Sequence, residues 1–169
     1  GIMGAGIAQV CATAGYNVLV FDSYPDTLEN LIDTLAQQVE KVVAKGKLPP
    51  EAVTAIQKNI RTTPNLHEMG EDRELVIEAA PEDLELKKQL FHQLDDICPD
   101  ETILASNTSS LSISAIAGAT KRPELVAGLH FFNPVSRMKL IEIIQGKSTT
   151  VEVMDLSLIH ISEPTRHRY

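Results

Sequence analysis

Cysteine is nearly absent: Cys11 and Cys98 are the two cysteines of 169 residues, and their spacing matches neither a disulfide framework nor a metal-ligand pattern. That excludes a stapled extracellular fold and fits a reducing, cytosol-like compartment, so the expected location is cytoplasmic, with no metal. No apolar run approaches the roughly 18 residues of a membrane span, and the given sequence, which opens in the middle of a motif, carries no secretory-signal pattern. Positive charge is also short. Fifteen Lys and Arg stand against 23 Asp and Glu, a formal net charge of -8, which argues against nucleic acid or an anionic membrane as partner. An anionic ligand stays compatible, because backbone dipoles can hold phosphate inside an acidic protein. Internal repeats and low-complexity tracts are missing too. What is there is an ordinary globular composition, 43% hydrophobic and 22% charged, at a length that suits about one domain.

The chain opens on Gly1 instead of Met, in the middle of a motif. Gly1 and Gly4 can serve as the second and third glycines of G-x-G-x-x-G, which places the first glycine and the central first strand upstream. An apolar-periodic stretch over 7–14 follows, closed by Gly15 as a helix C-cap. Residues 17–22 read as a buried strand ending on Asp22. Leu28, Leu31, Leu35, Val39 and Val42 recur at helical spacing, so 25–45 is expected as one long amphipathic helix ended by Gly46. Pro49-Pro50 open a second helix to about residue 58, making an inserted helical hairpin. Residues 60–63 read as a weak, edge-like strand and 75–78 as a short buried one. A helix over 84–96 puts Leu86, Leu90, Phe91 and Leu94 on one side. A strand over 102–106, a short helix over 112–117 and strands over 126–131 and 139–144 complete the pattern. Strands alternating with helices predict an α/β fold with a doubly wound, mostly parallel sheet.

The other end is unusual. Residues 156–166, Leu-Ser-Leu-Ile-His-Ile-Ser-Glu-Pro-Thr-Arg, resemble the conceptual translation of a transposase-type sequencing adapter. The domain is therefore expected to end at residue 155, with 156–169 a non-native tail excluded from functional reasoning.

Half a glycine triplet is weak by itself, and Gly4 and Gly6 could equally serve close packing. Asp22, eighteen residues after Gly4 and at the end of the next strand, strengthens it. A carboxylate there accepts hydrogen bonds from ribose hydroxyls, while a pyrophosphate sits on the preceding helix's N-terminus. It would repel a 2′-phosphate, and no Arg or Lys follows among Ser23, Tyr24 and Pro25, so NAD is favoured over NADP. A solvated strand-end aspartate is the plainer alternative. Further on, His130 falls at the C-terminal end of a strand, where open α/β sheets place ligands. Glu142 lies twelve residues later on the next strand. If Asn133-Pro134 turns the chain back, the two come within hydrogen-bond reach. An imidazole oriented by a carboxylate suits removal of a hydroxyl proton as hydride leaves for a nicotinamide. From the residues alone, a packed or surface histidine remains the competing account.

The segments Ser106-Asn107-Thr108-Ser109-Ser110, His130-Phe131-Phe132-Asn133-Pro134 and Glu78-Ala79-Ala80-Pro81-Glu82, the last followed by Leu86-Lys87-Lys88, closely resemble the NAD-binding domain of L-3-hydroxyacyl-CoA dehydrogenases. The short-chain bacterial 3-hydroxybutyryl-CoA enzymes look nearest. The resemblance spans residues 1–146 and implies a Rossmann-type domain with its first strand truncated. It makes His130 the general base and Glu142 the group that orients it. Ser109 would bond the substrate's 3-oxygen, and Asn133 would help hold substrate. Gly1, Met3, Gly4, Asp22, Glu82, Lys87 and Asn107 would line the cofactor site. The alternatives are a helix N-cap for Ser109, a turn former for Asn133, and an exposed ion pair for Glu82 with Lys87. The hairpin resembles the family's protrusion beside the acyl-CoA site, where Lys41, Lys45 and Lys47 could meet phosphates or simply face solvent. Cys11, Cys98, His67 and His92 are given no chemistry.

The resemblance thus implies oxidation of an L-3-hydroxyacyl-CoA to the 3-ketoacyl-CoA with NAD, or the reverse, in fatty-acid oxidation or butyrate-type metabolism. It also implies a C-terminal helical domain, not included here, that closes the acyl-CoA site and supplies a homodimer interface. The chain as written is accordingly expected to be poorly folded and inactive. Rival readings are a relative acting on a free hydroxy or sugar acid, a non-catalytic protein of this fold, and a segment of a multifunctional fatty-acid oxidation protein.

Overall fold

The computed structural model describes residues 1–138, 140–155 and 166–168. Two compact units are present, one of Gly1–Leu66 with Pro134–Ser136, the other of His67–Asn133 with Arg137–Tyr169.

The first unit begins with helix α1, Ile2–Thr13, which buries Ile7, Ala8 and Ala12. Its end is a Schellman turn. Gly15 takes φ +99, its N–H donates to Ala12 O, and Tyr16 N–H donates to Cys11 O, both at 3.1 Å, which satisfies the last carbonyls. Strand β1, Val18–Phe21, follows. The expected long helix over 25–45 is broken in two. Pro25–Thr27 forms a 3-10 turn, and helix α2 starts only at Leu31 and runs to Ala44. Proline fixes the φ of a turn's first position but lacks the N–H to continue a ladder. The turn is instead pinned by Leu28 N–H on Pro25 O and by the Thr27 hydroxyl on Tyr24 O. Gly46, at φ +69, closes α2 as Gly15 closes α1. Helix α3, Glu51–Asn59, leads into β2, Ile60–Thr63, which pairs parallel with β1. The helices bury Leu35, Ala36, Val39, Ala52 and Ile56 against Ala8, Ala12 and Ile60.

In the second unit β3, Leu75–Glu78, pairs parallel with β4, Ile103–Ser106. β4 pairs parallel with β5, Val126–Phe131. β5 pairs antiparallel with β6, Leu140–Gln145, and β7, Arg166–Arg168, adds a parallel backbone pairing to β6. Apart from β7, the expected tail from residue 156 onward lies outside the described residues. Helix α4, Leu84–Ile97, is capped by Asp83, which accepts from Leu86 N–H at 3.0 Å. Its buried stripe is Lys87, Phe91, Leu94 and Asp95; Leu86, expected inside, is 41% exposed. Helix α5, Ile113–Ala117, is capped by Ser112.

The fold is α/β and mostly parallel, as expected, and its strands among the described residues form two sheets, of order β1-β2 and β3-β4-β5-β6-β7. In the second sheet β3, β4 and β5 lie side by side in chain order and parallel, and β6 joins β5 antiparallel. A buried guanidinium stitches the second unit: Arg122 Nε donates to Asp95 Oδ1 at 2.6 Å and Nη2 to the carbonyls of Asp95 and Cys98, stopping the end of α4 with a matched charge. Among the described residues no helix is long and apolar enough to cross a membrane.

Candidate active and cofactor site

The first unit's candidates gather at the start of α1. The amino group of Gly1 stands 3.3 Å from Asp22 Oδ2, and Tyr24 N–H donates to Asp22 Oδ1 at 2.9 Å. Partial burial pushes the Asp22 carboxyl up, while hydrogen bonds from Tyr24 N–H and Thr27 work to lower it. The first turn of α1, with Met3 and Gly4, has no side-chain cap and no acidic residue. Its free N–H groups and the positive end of the helix dipole make it a place where an anion can be held. Gly6 answers the packing alternative: a Cβ there would meet Val135 Cβ at 3.0 Å.

In the second unit the Ser106-to-Ser112 loop leaves β4 at the same sheet end as His130. Register sets this: Ser106 is level with Gly128 on the parallel neighbour β5, and Asn107 Oδ1 accepts from Phe131 N–H at 2.8 Å. Asn107 therefore ties β4's exit to β5. His130 and Glu142 are direct cross-strand partners of β5 and β6, with Nδ1 3.3 Å from Oε2. A carboxylate only accepts, so Nδ1–H is the donor in this pair, and in the neutral imidazole that leaves Nε2 as the acceptor. The imidazole side chain is 17% exposed and its ring centroid lies 4.5 Å from that of Phe132. Asn133 is exposed at the bend that follows.

Glu82 gathers the loop. Its Oε2 accepts from Thr108 Oγ1 at 3.0 Å, from Ser109 N–H and Oγ at 3.1 Å, and from Ser110 Oγ at 3.3 Å. Partial burial works to raise its pKa, yet these donors and the nearby Lys87 charge bring it down to about 2. Ser112, not Ser109, caps the following helix. Lys87 is not the exposed partner of a surface pair: its side chain is 1% exposed and reaches Glu78 Oε2 at 2.5 Å, with Glu82 Oε1 at 3.4 Å. Glu78, named above only within a motif, is the buried centre of this polar cluster at the end of β3. Its signal was an acid closing an apolar strand, the same signal that singled out Asp22.

Comparison with known proteins adds relatives. A profile of the family "3-hydroxyacyl-CoA dehydrogenase, NAD binding domain" matches residues 1–163. The chain is 46% identical over 155 residues to the 3-hydroxyadipyl-CoA dehydrogenase of Escherichia coli K12, covering 92% of this chain and 32% of that protein. It is 41% identical over 155 residues to the 3-hydroxybutyryl-CoA dehydrogenase of Clostridioides difficile, covering 92% and 55%. The crystal structure of an Escherichia coli K12 3-hydroxybutyryl-CoA dehydrogenase superposes with a TM-score of 0.92 at 43% identity, over 99% of this chain and 35% of that one. The chain thus spans about a third to a half of the length of these curated relatives. With the glycine turn, the strand-end acid and the His130–Glu142 pair in place, the chain belongs to the 3-hydroxyacyl-CoA dehydrogenase family, whose NAD-binding domain it matches.

Proposed function

We propose that this domain serves an enzyme interconverting L-3-hydroxyacyl-CoA and 3-ketoacyl-CoA with NAD and NADH. The observation that carries the reading is the His130–Glu142 pair, aimed at the sheet end where the Ser109 loop emerges. Bound NAD supplies the acceptor for the C3 hydride. Asp22 suits its ribose hydroxyls, the uncapped start of α1 with Gly1, Met3 and Gly4 suits its pyrophosphate, and Glu82 and Asn107 serve its nicotinamide end, with Lys87 buried behind Glu82.

His130 Nε2 takes the proton of the 3-hydroxyl, and Glu142 stabilises the imidazolium through Nδ1–H. Ser109 fixes the 3-oxygen. Four donors crowd Glu82 Oε2, whereas a carboxylate oxygen offers about two lone-pair sites. The Ser109 hydroxyl can therefore turn from Glu82 to a ligand oxygen at little cost. Asn133, exposed beside His130, holds the substrate with its amide. The remaining length of the enzyme is a helical domain that closes over the acyl-CoA and makes a homodimer, working in the cytoplasm.

The test is NADH consumption with acetoacetyl-CoA by the full-length enzyme carrying this domain. His130→Ala is expected to lower kcat by about 10²–10⁴-fold, the usual range for a general base. Unchanged turnover removes His130 from the reaction. If neither protein acts on the thioester while both bind NADH, the reading moves to a free hydroxy or sugar acid as substrate, or to a non-catalytic protein of this fold.

A further inference from the structure

Behind the exposed Glu82 lies a charge that no substrate touches. Lys87 and Glu78 each have side chains 1% exposed, and Ser106 is fully buried. The ammonium donates to Glu78 Oε2 at 2.5 Å and Ala80 O at 3.0 Å and pairs with Glu82 Oε1 at 3.4 Å. Glu78 is held as firmly. Ser106 Oγ donates to its Oε1 at 2.6 Å, and Ala80 N–H to its Oε2 at 2.7 Å. The chain Ser106–Glu78–Lys87–Glu82–Ser109 therefore runs unbroken from the buried ends of β3 and β4 to the exposed loop.

The two carboxylates do different work. A buried ammonium keeps its proton only beside a matched charge. Glu82 is 39% exposed, 3.4 Å away, and already shared among four donors. Glu78 is buried, nearer by almost an ångström, and fixed on both oxygens. We propose that Glu78 is a positioning residue for the cofactor site: it holds Lys87 in place, and Lys87 in turn orients Glu82. The proposal rests on the reading of Glu82 as a cofactor contact, but not on the identity of the substrate.

Glu78→Gln removes the charge and keeps the shape. The Gln oxygen can still accept from Lys87 and Ala80 N–H, and its amide can donate to Ser106 Oγ. NADH affinity of the full-length enzyme, read by NADH fluorescence without acyl-CoA, is expected to weaken about tenfold in Glu78→Gln, in the range of couplings through one network. Glu82→Gln weakens it similarly. The double variant is expected to match Glu82→Gln within about twofold, because Glu78 acts through Glu82. Additive losses, or an unchanged Kd in Glu78→Gln, overturn the proposal, as does an unchanged Kd in Glu82→Gln. If Glu78→Gln does not fold, Ser106→Ala replaces it, since it leaves every charge in place. A rise in Kd of about threefold that vanishes in the Glu82→Gln background supports the proposal, and no rise overturns it. Failure on acetoacetyl-CoA with this coupling intact removes the substrate reading and leaves Glu78's role standing.

Discussion

At Glu82 the local chemistry fixes a pH dependence. Its pKa lies at about 2, below the usual 4.5, so its bonds from Thr108 and Ser109 and the nearby Lys87 charge favour the ionised form. A lowered carboxyl pKa adds stability that is complete above the unfolded value and fades as pH falls through the folded one. The stability difference between wild type and Glu82→Gln should therefore be flat above about pH 5 and shrink between about 4.5 and 2. Urea midpoints at pH 3, 5 and 7 measure it, and because the carboxylate is partly solvated the whole difference is modest. A difference that grows on acidification contradicts the geometry. Residues of this kind divide by how local their signal is. His130 and Glu142 were legible because one reversal at Asn133-Pro134 makes their spacing a cross-strand pair. Lys87 was not. Periodicity read Leu86, Leu90, Phe91 and Leu94 as the inner face of α4, and nothing in a spacing rule says that an ammonium is drawn inward by an acid on another element. The true stripe sits one residue round, at Lys87, Phe91, Leu94 and Asp95.

Elements were read best where the chain punctuates itself. Gly15 and Gly46 both end helices at positive φ, and the strand ends came within a residue or two of their observed bounds. The break between Pro25–Thr27 and α2 was missed because the leucine spacing runs through it, while the turn is made by backbone and hydroxyl bonds that leave no apolar trace. Gly128 shows an element set by what a side chain would hit. On β5 it faces Ile144 of β6, and a Cβ would lie 2.8 Å from Ile144 Cβ and 3.0 Å from Ile113 Cδ1. Alanine removes about 0.5–1 kcal/mol of glycine's entropic penalty in a strand, but overpacking against a rigid β-branched neighbour costs about 1–3 kcal/mol. Overpacking wins. Gly128→Ala should destabilise the protein by about 1–2 kcal/mol, read from urea unfolding. It should also lower turnover, since Ile144 is two residues from Glu142 on the strand that must shift. A more stable variant would mean that β6 yields without strain.

Across the whole chain the two units have unequal cores. In the first, β1 is half-buried along its length, its sheet has two strands, and four of the eight residues in its core cluster are alanines. A two-stranded sheet is marginal by itself, so this unit depends on α1, α2 and α3 packed against it. In the second, all four residues of β4 and five of six in β5 are buried, with Phe91, Leu104, Ile116 and Leu129 almost wholly out of solvent. Burial of one large aliphatic or aromatic side chain is worth about 1.5–3 kcal/mol, against a fraction of that for an alanine. Local opening should therefore be far easier in the first unit. In hydrogen exchange followed by mass spectrometry, the amides of β4 and β5 should be protected at least about tenfold more than those of β1 and β2. NADH binding should narrow the gap, because Gly1 to Asp22 are the first unit's own cofactor residues and a ligand stabilises the state it binds. Equal protection without NADH would show that small alanine-rich packing suffices. A gap that NADH leaves untouched would take the cofactor away from Asp22 and the start of α1.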